Sequence, residues 1–350
     1  MKSGSILKTF WPLMKFLQMM GACPIAKDDT DPYGFKALSF VAYLAIVVSI
    51  WLGITLTTIG VVCYLFYVQG LDENQLMNVL MSRKGSKMDT VSFNALSYLM
   101  IGVSAAITVE NFKLKDRFIE LMQVFRGLDL QECKLKRKYF LISVIASWFL
   151  CFSAIITPHY HNADVELNLV SSILITVLVF LFQAIQVAPI IGFIVIYSEA
   201  CNQLNFWIER LIEKFEARQS FQWETIQECS HLLKDGLKKI QSIFSTLLFW
   251  ISLLYLATMI FCAYLALVFI SEIVQTGIAD GELAFAIVLS SGTNAMIQTL
   301  CYINFLSDDV TTNLQNLKDC ISDIDAGTKR KVMGQCLEFI QGFSLNYKSK

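Results

Sequence analysis

The sequence predicts an all-α fold, that of a polytopic helical membrane protein, and three observations carry this prediction. Hydrophobic residues make up 55% of the chain and charged residues only 16%, which leaves too little polar surface to cover a water-soluble globule of this length. Six long intervals contain no Asp, Glu, Lys or Arg. The basic residues are concentrated in alternate connections between those intervals.

Each of the six uncharged intervals is long enough to cross a membrane. A transmembrane helix needs roughly 20 predominantly apolar residues to cross about 30 Å of hydrocarbon. The intervals are 37–71, 90–109, 139–163, 167–198, 240–271 and 283–307. Several are much longer than the minimum, so we expect tilted helices or helices that project beyond the bilayer.

The distribution of Lys and Arg predicts how the chain is oriented. The segment before the first interval holds five, the loops 110–138 and 199–239 hold eight and six, and the segment after residue 307 holds six. The other three connections hold three in total. Because cytoplasmic loops are enriched in Lys and Arg, both termini are predicted to be cytoplasmic. The predicted organisation is a cytoplasmic segment 1–36, a helical bundle 37–307 that includes a cytoplasmic extension 199–239, and a cytoplasmic helical tail 308–350.

All ten cysteines fall in predicted spans or in predicted cytoplasmic segments. Disulfides persist mainly outside the cytosol, so free thiols are expected. The chain has no CxxC pair, which argues against a structural zinc site. No cofactor and no bound metal are predicted.

The stretch FWPLMKFLQMMGACPI, residues 10–25, is apolar but contains a lysine. Lys15 and Gln18 interrupt the apolar core that a signal peptide needs, and the stretch is too short to span a membrane. Pro12 suits the start of a helix, and Gly21 suits the position just after its end. An amphipathic helix is therefore predicted, lying along the inner leaflet or packed on the cytoplasmic ends of the bundle.

Enzymatic and nucleic-acid-binding constellations are missing from the sequence. The spans contain no acidic pair, no internal His and no Ser-His arrangement at a credible depth, so the chain is not predicted to be an enzyme. The net charge of −1 says nothing about nucleic acid, since the basic residues are sorted by side of the membrane rather than gathered into one groove. Gln183 and Gln186 are expected to bond between helices.

A short predicted outer loop carries the strongest metal-ligand pattern in the chain. His159, Tyr160 and His161 are followed by Asp164 and Glu166, and imidazole is a common metal ligand. A polar cap between two spans is the favoured interpretation, because polar loops are far more common than metal sites.

Several stretches resemble insect gustatory receptors, the taste branch of the insect chemoreceptor superfamily. Phe10-Trp11-Pro12-Leu13 and Gly21-Ala22-Cys23-Pro24 are similar to that family's N-terminal segment. The run from Tyr197 to Asn205 resembles the family's cytoplasmic helical extension. A later run is similar to the one that re-enters the membrane as the fifth span, and its residues are Ile226, His231, Leu232, Leu233, Leu237, Ile240 and Phe244 ahead of Ser245.

The resemblance implies a homo- or hetero-tetrameric, ligand-gated cation channel in the plasma membrane, whose partners are a small-molecule tastant, other gustatory receptors and the lipid bilayer. It also implies a ligand pocket in the outer half of the helical bundle. By depth we place eight residues there: Trp148, Phe152, Thr176, Tyr264, Phe269, Ser290, Ser291 and Asn294. Aromatic walls with a few hydroxyls and an amide suit sugars or plant organics, although the same residues could serve helix packing.

The C-terminal end departs from the family pattern. Family members have a seventh, pore-lining span, whereas this sequence ends at SLNYKSK. The residues at helical spacing in 332–343 are similar to the cytoplasmic helix that precedes that span. The sequence is therefore interpreted as a gustatory receptor that ends before its pore helix, and this chain expressed alone is expected to give no current.

Three other functional classes remain open from the sequence. A non-conducting accessory or scaffold subunit is the main alternative. A transporter would show paired repeats with broken helices and ionisable residues near the middle of the membrane, whereas Pro189 is the one proline in the middle of a span. A G-protein-coupled receptor needs an external N-terminus and fits least well.

Overall fold

The computed structural model describes residues 11–27, 35–72, 75, 87–126, 138–161, 168–216, 223–276 and 282–323. Almost all of this is helix. The helices are α1 Trp11–Met19, α2 Phe40–Cys63, α3 Lys87–Arg126, α4 Lys138–His161, α5 Leu169–Glu216, α6 Trp223–Thr276 and α7 Glu282–Asp323. A π-helical turn, Tyr64–Val68, continues α2. Two short strands, β1 Ile25–Lys27 and β2 Phe35–Ala37, lie between α1 and α2.

The six long helices coincide with the six uncharged intervals. Three stretches of the described chain are long and apolar enough to cross a membrane, namely Phe40–Val68, Leu169–Glu213 and Asp235–Ala257. A shorter apolar stretch, Tyr139–Leu150, lies in α4. The predicted all-α, polytopic membrane fold is confirmed. Several helices also run far past their uncharged intervals, and α7 continues as one helix through residue 308 to Asp323.

Helix α5 is the centre of the bundle. It packs against every other helix, most extensively against α7 and α3. Every residue from 186 to 202 is buried, including Phe193 and Tyr197, whose rings meet that of Phe244 on α6. A helix that is apolar on all sides is stable only when neighbours cover it all round. The other helices therefore surround this half of α5.

Helix α1 packs into the bundle core. Leu17 and Met14 are buried while Lys15 is exposed, so the predicted amphipathic helix is confirmed, with its apolar face against the bundle. The helix ends in a Schellman arrangement, in which Ala22 N–H donates to Leu17 O at 2.8 Å and Gly21 adopts a φ of 67°. Glycine enters this left-handed region without steric cost.

The segment after α1 lies close to α5 because α5 has a glycine there. A Cβ on Gly192 would meet the carbonyl oxygen of Ala22 at 3.4 Å. Two hydrogen bonds from other helices fix this segment. Tyr43 Oη on α2 donates to Gly21 O at 2.7 Å, and Asn111 Nδ2 on α3 donates to Ala22 O at 3.5 Å. Chain entry into the bundle is thus fixed by α2, α3 and α5 together.

A two-stranded antiparallel sheet joins α1 to α2, and no pattern in the sequence predicts it. Ile25 pairs with Ala37, and Lys27 pairs with Phe35. Gln18 on α1 donates its side-chain amide to Ile25 O. Three-residue strands are too short to show an alternating pattern.

The cysteines that the structure describes are free thiols, as predicted. Cys23 and Cys201 are buried, Cys63 and Cys301 are exposed, and Cys320 is half-buried. The remaining five cysteines lie outside the residues or side chains that the structure describes.

Candidate ligand-binding site

Trp148 is an anchor between α4 and α7. Its side chain is only 1% exposed, and its indole Nε1–H donates to Thr299 Oγ1 at 3.0 Å. Thr299 Oγ1 in turn donates to Ala295 O at 2.8 Å within α7. A buried Trp is placed where its N–H finds an acceptor, so this predicted pocket residue also holds two helices together.

A second set of hydrogen bonds joins the same two helices beside the Trp148–Thr299 bond. Gln298 Oε1 accepts from Ser147 Oγ at 2.8 Å and from Ser143 Oγ at 3.1 Å. Gln298 Nε2 donates to Asn294 Oδ1 at 3.2 Å. Gln298 therefore connects α7 to two serines of α4, and its partner within α7, Asn294, is exposed.

The α4–α7 polar network is defined here as Ser143, Ser147, Trp148, Asn294, Gln298 and Thr299. Trp148 and Asn294 were predicted for the ligand pocket, and the structure places both in this network. The other four were missed. A signal was present in the sequence, because Ser143 with Ser147 and Asn294 with Gln298 are i, i+4 polar pairs within apolar intervals.

The other predicted pocket residues are distributed over four helices. Thr176 on α5 donates its hydroxyl to Ser172 O at 2.7 Å, within its own helix. Tyr264 on α6 and Ser291 on α7 are half-buried, and Ser290 is exposed. Phe152 and Phe269 lie in described helices, but their side chains are outside what the structure describes.

Comparison with known proteins places this helical arrangement in a family. The family model for the 7tm chemosensory receptors matches residues 12–348, nearly the whole chain. The chain belongs to the insect 7tm chemosensory receptor family. No curated protein is significantly similar to it in sequence.

Two solved structures of an insect olfactory receptor share the fold of this chemosensory receptor. Both are of OR5 from Machilis hrabei, one in complex with eugenol and one without it. The first is 13% and the second 12% identical to this chain, and both have a TM-score of 0.56. Each alignment covers 96% of this chain and 89% of the olfactory receptor.

Polar contacts in this chemosensory receptor also tie α5 to α7 beyond the uncharged intervals. Asn313 Nδ2 on α7 donates to Glu209 Oε1 at 3.1 Å and to Asn205 Oδ1 at 3.3 Å on α5. Gln203 Nε2 donates to Glu199 Oε1 at 2.8 Å. Asn205 and Glu199 are buried, and buried polar groups of this kind are stable only when hydrogen-bonded. The predicted helical extension is thus packed against the bundle.

Metal-ligating side chains do not cluster in the described part of this receptor. No group of three or more His, Cys, Asp or Glu that could hold an ion occurs among the residues searched. The predicted outer-loop cluster, His159 to Glu166, lies outside the side chains that the structure describes.

Gln186, which was predicted to bond between helices, makes such a bond through its backbone. Its backbone oxygen accepts a hydrogen bond from Ser104 Oγ on α3. The side-chain Nε2 is buried and has no partner among the described residues. Gln183, its predicted companion, has a side chain that is not described.

Proposed function

We propose that this chemosensory receptor is a gustatory receptor, a subunit of a ligand-gated cation channel that senses small-molecule tastants. The family match over residues 12–348 carries the proposal. The taste assignment rests on the resemblance of Phe10 to Leu13 and of Gly21 to Pro24 to gustatory receptors. In this chain the second motif forms the turn that docks α1 on α5.

The proposed tastant site is in the outer half of the bundle, at the eight residues predicted from the sequence. Two of the eight residues, Trp148 and Asn294, belong to the α4–α7 polar network near the middle of the bundle, which supports a ligand site because it holds hydroxyl and amide groups beside an aromatic side chain. A mainly apolar pocket with a few fixed polar groups is the usual design of a small-molecule site. The similar olfactory receptor OR5 was solved in complex with eugenol, a small organic molecule.

The channel is proposed to be a homo- or hetero-tetramer with other gustatory receptors, in the plasma membrane, with both termini of this chain in the cytoplasm. The long helices α5, α6 and α7 support assembly, since they extend well past the uncharged intervals. Surface of this kind outside the membrane is available for contacts between subunits.

Cation currents in cells without endogenous receptors test the proposal. The chain is expressed alone and together with related gustatory receptors, and sugars, plant organics and volatile odorants are applied in turn. A current that depends on this chain and is evoked by a sugar or a plant organic is expected. Currents evoked by volatile odorants alone, or none from any combination, would contradict it.

A substitution in the network links the current to the proposed site. Asn294→Leu removes the exposed amide, and we expect it to raise the half-maximal tastant concentration about tenfold, the value of one lost hydrogen bond to a ligand. Thr55→Val on α2 is the matched control, because Thr55 is also polar and exposed but bonds only within its own helix. An equal shift for both variants would argue against this site.

A further inference from the structure

A cavity of about 170 Å³ lies between α2, α3 and α5, beside the end of α1. Trp51, Ile101 and Phe182 line it from the three long helices, and Gly21 lines it from the turn after α1. None of the eight predicted tastant-site residues takes part. The cavity is therefore separate from the tastant site proposed above, and its ligand is inferred independently of that proposal.

One side chain in the cavity wall has an unused hydrogen-bond donor. Gln186 lines the cavity and is only 2% exposed, and its Nε2 has no partner among the described residues. Leaving a buried amide donor unpaired costs about 1–3 kcal/mol. Such a group is retained at a cost to stability, which calls for an explanation outside the folded chain itself.

One backbone hydrogen bond of the helix is also missing beside Gln186. Pro189, which lines the same cavity, has no N–H to donate to the carbonyl of Ile185 one turn earlier. The next carbonyl, that of Gln186, accepts from Ser104 Oγ across the helix interface. The Gln186 amide nitrogen and the Ile185 carbonyl thus lack their usual partners beside a cavity whose lining is mainly apolar.

The size and access of the cavity define what can enter it. An apolar cavity of about 150 Å³ in another protein binds benzene, so this one suits a single ring with a small substituent. Trp51 and Phe182 are 45% and 39% exposed on the outside of the bundle. Because α2 and α5 are apolar spans, this rim faces lipid, and a molecule dissolved in the membrane reaches the cavity directly.

We propose that this cavity binds a small, membrane-partitioning aromatic ketone, aldehyde or ester, whose carbonyl oxygen accepts a hydrogen bond from Gln186 Nε2. A turn of the side-chain amide about its last bond presents an N–H to the cavity. Aromatic contacts with Trp51 and Phe182 supply the apolar part of the binding. The methylene chain of a lipid fills the same space but offers no acceptor, so it leaves the donor unpaired.

Binding of a matched pair of fluorinated probes tests the proposal. The full chain is placed in lipid nanodiscs, and 4′-fluoroacetophenone and 4-fluoro-α-methylstyrene are titrated by ¹⁹F NMR, with empty nanodiscs subtracted. The two probes have nearly the same shape, but only the ketone has an acceptor. We expect the ketone to bind about tenfold more tightly than the hydrocarbon, the effect of one satisfied donor.

Two variants locate the binding. Gln186→Leu keeps the volume and removes the donor, and we expect it to weaken the ketone about tenfold while the hydrocarbon is unchanged. Ala105→Phe fills the cavity from α3, where Ala105 is exposed at its edge, and should abolish binding of both probes. Ala263→Phe, at an exposed position of α6, is the matched control and should bind both as the unmodified chain does.

Each variant is first shown to be folded by thermal melting, so that a loss of binding is not a loss of structure. Binding of either probe that survives Ala105→Phe overturns the cavity as the site. Equal weakening of both probes by Gln186→Leu overturns the hydrogen bond, and so does equal affinity of the two probes in the unmodified chain. Because the readout is binding to one chain, it is independent of tastant-evoked current.

Discussion

Trp148 is held between α4 and α7 by burial and by one hydrogen bond to Thr299. The position of Trp148 within its uncharged interval predicted that it contacts ligand. The structure shows that it also packs between two helices. The two roles make different demands. A packing residue is needed for stability whether or not ligand is present, whereas a ligand contact changes mainly the response to ligand.

Replacing Trp148 by Phe distinguishes these roles. The variant loses the indole N–H and part of the buried ring, so we expect it to lower the free energy of unfolding by about 1–3 kcal/mol. Trp51→Phe, at a half-exposed position on the outside of α2, should change it by less than about 0.5 kcal/mol. The measurement is thermal or denaturant unfolding in detergent. Equal stability of the two variants would show that Trp148 does not anchor α4 to α7.

Cys23 lies outside the spans, and its side chain is buried. Burial raises the pKa of its thiol to about 12, from an ordinary value of 9.0, because the thiolate is disfavoured away from water. At pH 8 its thiolate fraction is therefore about a thousandfold lower than that of an ordinary cysteine. The pKa of Cys23 is higher in the folded chain than in the unfolded one. The buried, protonated thiol therefore makes its full contribution to stability below about pH 9, and that contribution decreases as the pH rises toward 12.

Site-resolved alkylation checks the state of Cys23. With N-ethylmaleimide at pH 8, mass spectrometry should find Cys23 unmodified in the native protein while the thiols outside the spans, among them the half-buried Cys320, react. Cys23 should react as fast as the others once denaturant is added. Rapid native modification of Cys23 would mean that the segment after α1 is not packed as described.

Helix α1 shows what the sequence could and could not predict. Its apolar face follows from helical spacing, and its end follows from Gly21, so both were predictable from local chemistry. The strands after it were not, because Ile25 pairs with Ala37 across a separation that local patterns do not encode. For the same reason the sequence did not identify the hydrogen-bond partners of Trp148 and Gln298, which meet only because α4 packs beside α7.

Two glycines with nearly the same backbone test how α1 docks. Gly21 and Gly70 have φ values of 67° and 71°, so Ala at either should cost about 1–2 kcal/mol of backbone strain. At Gly21 the new Cβ would also lie 3.1 Å from Val47 Cγ2, whereas at Gly70 nothing lies within 4 Å. Gly21→Ala should therefore lower the unfolding midpoint more than Gly70→Ala does. Similar midpoints for the two variants would contradict close docking of α1 on α2.

At the scale of the whole molecule, composition and charge predicted the class of fold because a membrane imposes its own length and polarity on the chain. The arrangement of the other five long helices around α5 did not follow from these quantities. Each interval is apolar on most sides, so its hydropathy does not say which neighbour covers it. The cavity beside Gln186 was unpredictable for the same reason, since it is formed by four separate segments.

Orientation in the membrane is tested with tags at the two ends. The excess of Lys and Arg in 1–36, 110–138, 199–239 and 308–350 predicts that both ends face the cytosol. A glycosylation acceptor fused to either terminus should therefore remain unmodified, while one inserted in 272–282 should be glycosylated. Modification of an N-terminal acceptor would reverse the proposed topology.

We propose that this chemosensory receptor contributes to a channel opened directly by its ligand. Recordings from excised outside-out patches test it, with cells expressing the chain alone or with related receptors, and with no GTP in the pipette. We expect a cation current that begins when tastant is applied and persists in the absence of GTP. A response that appears only when GTP is supplied, or no response in patches from responsive cells, would contradict a ligand-gated channel.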